Sequence, residues 1–144
     1  MSRRASTLYD RTLARLRELC LALPETTETL SWGHPNFKAG KRTFCVLEVY
    51  RGVLSLCLRP DAATYRKLAR DPRFYVTPYV GPQGWLSLEV EGALDWDEVR
   101  ELVLQSYRSV ALKRMLAALA QQAGEAGAAG RPRRGSSGRG RRGA

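Results

Sequence analysis

Histidine occurs once in the 144 residues, at His34, and cysteine three times, at Cys20, Cys45 and Cys57. That scarcity excludes most familiar reactive sites. There is no C-x-x-C pair, zinc-ligand spacing is missing, and an odd cysteine count does not read as a disulfide framework. Buried thiols in a reducing compartment are expected instead. Any catalytic triad would have to use His34, which precedes Pro35 in a turn-like stretch, and neither G-x-S-x-G nor a P-loop occurs. Gly81-Pro-Gln-Gly84 lacks the lysine and the strand-to-helix setting of a phosphate cradle. No catalytic residue, metal or cofactor is therefore expected, and the chain reads as non-enzymatic.

Long apolar runs are also absent: none approaches the roughly 18 residues of a membrane-spanning helix. Met1-Ser2-Arg3-Arg4 has the basic start of a secretory leader without an apolar stretch behind it, so a cytoplasmic location is expected.

Apolar residues, at 44%, are plentiful enough for a core, and the formal charge is +10. From Gly124 onward six arginines face one acid, Glu125, so half of that excess sits in the tail. Residues 130–144 are a low-complexity Arg/Gly/Ser segment with nothing to bury. The organisation expected is one domain over 1–122, near the commonest domain size, followed by a disordered basic tail over 123–144.

Within the domain the spacing of Tyr9, Leu13, Leu16, Cys20 and Leu23 predicts a helix from Thr7, with Asp10 completing a capping box and Pro24 ending it. Two short extended pieces broken by Gly33 and Pro35 follow. The clearest feature is a hairpin, 43–50 and 53–59 around an Arg51-Gly52 turn. Pairing Tyr50 with Val53 sets Val46 against Cys57 and Glu48 against Ser55. One face is then wholly apolar (Cys45, Leu47, Val49, Leu54, Leu56, Leu58). The other is mixed, carrying Phe44, Val46, Glu48, Tyr50, Val53, Ser55, Cys57 and Arg59, so Cys45 and Cys57 cannot meet. Asp61 caps a short helix to Arg70, 74–80 is extended but interrupted by Pro78, and 85–90 alternates with Leu86, Leu88 and Val90 inward. Asp95 and Glu98 open a helix, and a further helical stretch follows from Leu112. Helix, antiparallel strands, short helix, strands, helices: the fold class is α+β, an antiparallel sheet with helices packed on one face.

The acids Glu89, Glu91, Asp95, Asp97, Glu98 and Glu101 cluster at that helix start, where capping and the helix dipole account for Asp95, Asp97 and Glu98 without a metal. Arg11 and Arg15 on the first helix, Lys38, Lys41 and Arg42 around Gly40, and Arg59 on the mixed face are candidate phosphate contacts. Arg131, Arg133, Arg134, Arg139, Arg141 and Arg142, spaced by glycine and serine, have the pattern of arginine-rich segments that bind nucleic acid. An alternative class, a small-ligand or protein-interaction module, rests on an aromatic recess of Trp32, Phe37, Tyr79 and Trp85 near His34.

Taken in order, Leu19-Cys-Leu-Ala-Leu-Pro-Glu-Thr-Thr-Glu28, Trp32-Gly-His-Pro-Asn-Phe-Lys38, Tyr79-Val-Gly-Pro-Gln-Gly-Trp85 and Asp95-Trp-Asp-Glu-Val-Arg-Glu-Leu102, leading to Ser106-Tyr-Arg108 and Lys113-Arg114, resemble the MmcQ/YjbR family over about 8–116. The resemblance implies a CyaY-like (frataxin-like) fold and a DNA-binding protein whose exposed sheet and loops form a double wing. Iron handling, the rival function that frataxins imply, uses acids along the first helix. Here that helix carries Arg11, Arg15 and Arg17 against Asp10 and Glu18. The partner expected is nucleic acid, DNA first, bound by a monomer.

Overall fold

The computed structural model describes residues 7–130, with side chains through Glu125. Thr7 caps the first helix, α1 (Leu8–Cys20): its hydroxyl accepts from the Asp10 N–H at 3.0 Å and its own N–H reaches the Asp10 carboxylate, the expected capping box. Leu13, Leu16 and Cys20 are the buried stripe.

Six strands follow: β1 (Thr26–Ser31), β2 (His34–Ala39), β3 (Arg42–Tyr50), β4 (Val53–Leu58), β5 (Phe74–Val76) and β6 (Leu86–Glu89). They form one antiparallel sheet in the order β1-β2-β3-β4-β6-β5. The short helix α2 (Ala62–Leu68), capped by Asp61, carries the chain from β4 toward β5. Helices α3 (Trp96–Val110) and α4 (Lys113–Gly130) close the chain, with α3 lying across β3 and β4 and against α1. The α+β arrangement expected, helices on one face of an antiparallel sheet, is the one found. No described helix is long and apolar enough to cross a membrane.

Helix α4 runs to Gly130, past the boundary placed after Gln122; the remainder of the expected tail, 131–144, lies outside the described residues. Pro35 does not break β2. The ladder to β3 starts at Asn36↔Val46, so the missing N–H of Pro35 removes no ladder bond.

The β3–β4 hairpin has the expected register, Tyr50↔Val53, Val46↔Cys57 and Glu48↔Ser55, around a turn in which Arg51 and Gly52 both have positive φ. Cys45, Leu47, Leu56 and Leu58 are buried beneath the helices, while Val49, close to the turn, is half exposed. Phe44 is a correction. Between Lys38↔Thr43 and Phe37↔Cys45 the register shifts, so β3 carries one residue more than β2 there. The bulge turns Phe44 out of the alternation and into the core, where its ring meets Tyr107 edge-on at 5.5 Å and is fully buried. Cys45 and Cys57 lie on opposite faces, as the pairing requires. All three cysteines are free and buried.

Candidate functional site

The sheet face turned away from the helices is not flat. It carries a recess of about 550 Å³ whose lining includes Trp32, Tyr50, Tyr79 and Trp85 as walls and Glu48, Cys57 and Thr77 as floor. The floor follows from alternation: Glu48 and Cys57 are outward residues of β3 and β4, and Ser87 is an outward residue of β6. Because a polar group shielded from water needs partners, they bond one another. The Cys57 thiol donates to Glu48 Oε2 at 3.5 Å and lies 3.4 Å from Ser87 Oγ, which in turn meets Thr77 Oγ1 at 2.8 Å. Beside them the Ser55 and Tyr75 hydroxyls are 2.7 Å apart, and Tyr75 stacks on Tyr50. Burial pushes the Cys57 thiol up to about 12, so it is a neutral donor rather than a nucleophile.

The rim is made by two turns that hold aromatic side chains in an unfavourable backbone. Trp32 (φ 54°) and Gly33 (φ 79°) form the two-residue turn between β1 and β2. At the first turn position Asn, Asp or Gly is preferred, yet here a tryptophan sits there with 93% of its surface exposed. Across the recess, Val80 N–H donates to the Pro78 carbonyl at 2.8 Å, closing a three-residue turn with Tyr79 (φ 69°) at its centre. Tyr79 is 94% exposed. The chain then folds back over β5 so closely that a Cβ on Gly81 would lie 2.2 Å from Val76 Cγ1. Residues held at positive φ cost of order 1–3 kcal/mol and tend to gather at ligand sites. Neither ring recovers that cost by burial within the described residues.

A second, basic groove adjoins the recess. Arg42, Arg59 and Val110 line it together with Thr43, Gln83 and Trp85, and the last three also line the recess. Arg59 is aimed by a hydrogen bond from Nε to the Gln83 carbonyl at 2.9 Å. One continuous surface therefore runs from aromatic walls to two guanidinium groups.

The expected site residues separate into groups. Trp32 and Trp85 come together in the recess with Tyr79. His34 is half-buried in β2 and is not among the lining residues, and Phe37 faces the other way, fully buried in the core against the helices. Phe37 pairs with Cys45 across the β2–β3 ladder and so shares its inward face. Of the cations, Arg42 and Arg59 share the groove, Lys38 is half-buried in β2 opposite Thr43, and Lys41 is exposed in the β2–β3 turn. Arg11 and Arg15 lie on the opposite layer, in a groove between α1 and the start of α3, with Arg15 5.1 Å over the Trp96 ring. The six tail arginines lie outside the described residues. Glu48, Tyr50, Cys57, Thr77 and Gln83 were not anticipated as site residues, although the mixed face of the hairpin already contained the first three.

The acids near α3 are engaged locally. Asp95 accepts from the Asp97 and Glu98 N–H groups, Glu98 binds Arg73, and Asp97 pairs with Arg100. Among the described residues no three His, Cys, Asp or Glu side chains are grouped to hold a metal ion.

The YjbR family model matches residues 21–109, which takes in the whole floor and both rim turns. The chain belongs to the YjbR family. No curated protein matches it in sequence. Two solved structures resemble this YjbR chain in fold. A Deinococcus radiodurans protein with a DUF419 domain superposes with a TM-score of 0.62 at 22% identity, covering 78% of this chain and 87% of its own. A Pseudomonas syringae protein superposes with a TM-score of 0.55 at 14% identity, covering 66% of this chain and 95% of its own. At those identities the likeness speaks for the fold.

Proposed function

We propose that this YjbR protein is a non-enzymatic nucleic-acid-binding protein that engages unpaired bases on its outer sheet face and their phosphates in the adjoining basic groove. One observation carries the proposal: the aromatic recess and the Arg42–Arg59 groove share the wall Thr43-Gln83-Trp85. Single-strand binders combine aromatic surfaces, worth about 1–3 kcal/mol per stacked base, with a positive groove that follows the backbone. A concave, aromatic-rimmed recess favours a base free to leave its stack over the closed edge of a duplex. The arginine-rich tail adds affinity that depends on salt rather than on sequence.

The test is fluorescence anisotropy on a labelled single strand and its duplex over a salt series, for the full chain and for the full chain with its six tail arginines changed to glutamine. Stronger binding to the single strand is expected. It should persist without the tail charges, and each phosphate held should contribute about −0.7 to the log–log salt slope. Double substitution Arg42→Gln/Arg59→Gln should flatten the slope by about 1.4, corresponding to two phosphates. Binding that ignores salt, or that disappears with the tail charges, rejects the folded domain as the reader.

A further inference from the structure

We infer that the recess holds one unpaired base of the bound strand and that the Glu48 carboxylate selects guanine. The inference rests on the nucleic-acid proposal above and adds to it a base preference that neither the fold nor the charge supplies.

The volume, about 550 Å³, lies within the 300–1,000 Å³ of ordinary ligand sites, and it is walled by four aromatic rings. Flat, uncharged ligands stack on such walls, but walls alone accept any base. Discrimination must come from the floor, and most of the floor is already occupied. Among the lining residues the Thr77 hydroxyl is bonded to Ser87, and the Asn36 amide donates to the His34 carbonyl and accepts from Thr43. Glu48 differs in its charge. A carboxylate has about four lone-pair positions and no donor, and among the described residues this one accepts only from the Cys57 thiol at 3.5 Å. Glu48 is the one charged residue of the lining, and its two oxygens form a fork with acceptor positions still open.

The four bases answer such a fork differently. Guanine presents N1–H and N2–H side by side on its pairing edge and can give both to one carboxylate. Adenine and cytosine offer one amino group beside a ring nitrogen whose lone pair would face the second oxygen. Thymine and uracil offer a single N–H between two carbonyls, both repelled. The wall shared with the basic groove places Arg42 and Arg59 on the flank, where the same nucleotide's phosphates would leave the recess.

The experiment compares an oligothymidylate of about 12 nucleotides with the same strand carrying one central guanine, each bound to the full chain at fixed salt. The guanine strand is expected to bind about tenfold tighter, within the range of one bidentate side-chain–base contact. Glu48→Gln should collapse that ratio toward one, because the amide presents only one acceptor. Equal affinities for the two strands in the unaltered protein, or a ratio that survives in Glu48→Gln, overturns the base assignment while leaving the nucleic-acid proposal standing. Failure of both strands to bind at low salt removes the proposal and the assignment together. The first comparison needs no variant, so it does not depend on how Glu48→Gln folds.

Discussion

The hydroxyl of Ser106 in α3 donates to the carbonyl of Phe44, a residue 62 positions earlier in the chain. The same oxygen accepts the backbone N–H of Arg59 at 2.9 Å. Phe44 is the bulged residue of β3 and Arg59 follows the last β3–β4 pair, Cys45↔Leu58, so one fully buried helix hydroxyl supplies bonds where that ladder ends. Ser106 therefore joins three elements: α3, the bulged start of β3, and the end of β4 that leads into the basic groove.

Replacing Ser106 by alanine leaves a carbonyl and an N–H without those partners. Each unsatisfied buried group costs about 1–3 kcal/mol, and Ser106→Ala is expected to destabilise the fold by about 2–4 kcal/mol. The midpoint of urea unfolding should fall with the slope unchanged. A loss below about 0.5 kcal/mol would mean that water replaces the hydroxyl at no cost.

The rim aromatics predict a conflict between stability and binding. Tyr79 has φ 69° and packs little of its surface, being 94% exposed. Tyr79→Gly removes a left-handed residue that costs about 1–2 kcal/mol, against a glycine entropy penalty of up to about 1 kcal/mol. Unfolding stability should therefore hold or rise by as much as about 1 kcal/mol, while affinity for a single strand falls by about 1–3 kcal/mol with the lost stack. Trp32→Gly should behave alike. A variant that loses stability and keeps affinity contradicts both halves.

How far the sequence led differs between fold and site. The hairpin register was readable because every inward residue from Cys45 to Leu58 is apolar, and a slip by one would have buried Glu48 and Ser55 beneath the helices. The bulge was not readable. Nothing in Arg42-Thr-Phe-Cys-Val46 marks an extra residue, and Phe44 reached the core because Tyr107 and Ser106, far along the chain, wait for it there. Phe37 misled for a related reason: its neighbours Trp32 and Trp85 do line the recess, but alternation within β2 aims Phe37 at the helices. Charge was the least informative. Arg15 and Arg42 look alike in sequence, and the fold puts one over Trp96 and the other beside Trp85.

The thiols should be silent in the folded protein. Cys20, Cys45 and Cys57 are all buried, and burial pushes Cys45 well up and Cys57 to about 12. The thiolate is the reactive form. Reaction with a chromogenic disulfide reagent near pH 8 should consume no thiol on the timescale of minutes, and all three after addition of denaturant. Rapid native reaction at one cysteine would place it outside the core or the recess floor.

Acid should loosen the Asp71–Arg73 pair that leads into β5. Arg73 reaches Asp71 at 2.7 Å and Glu98 at 2.8 Å, and its own acidity is weakened by both contacts. The guanidinium, with the Arg73 N–H, holds the Asp71 carboxyl down at about 2. A carboxyl near 3.9 when unfolded and lower when folded contributes stability that is complete above the unfolded value. The contribution shrinks as pH falls below that value and is lost once pH passes through the folded one. Thermal midpoints of the natural chain and of Asp71→Asn should therefore differ most above about pH 4 and converge between about pH 4 and pH 2. The pair is partly exposed, so added salt should narrow the difference at neutral pH as well. A gap that widens toward low pH would reverse the sign of the linkage and remove Arg73 as the partner that sets it.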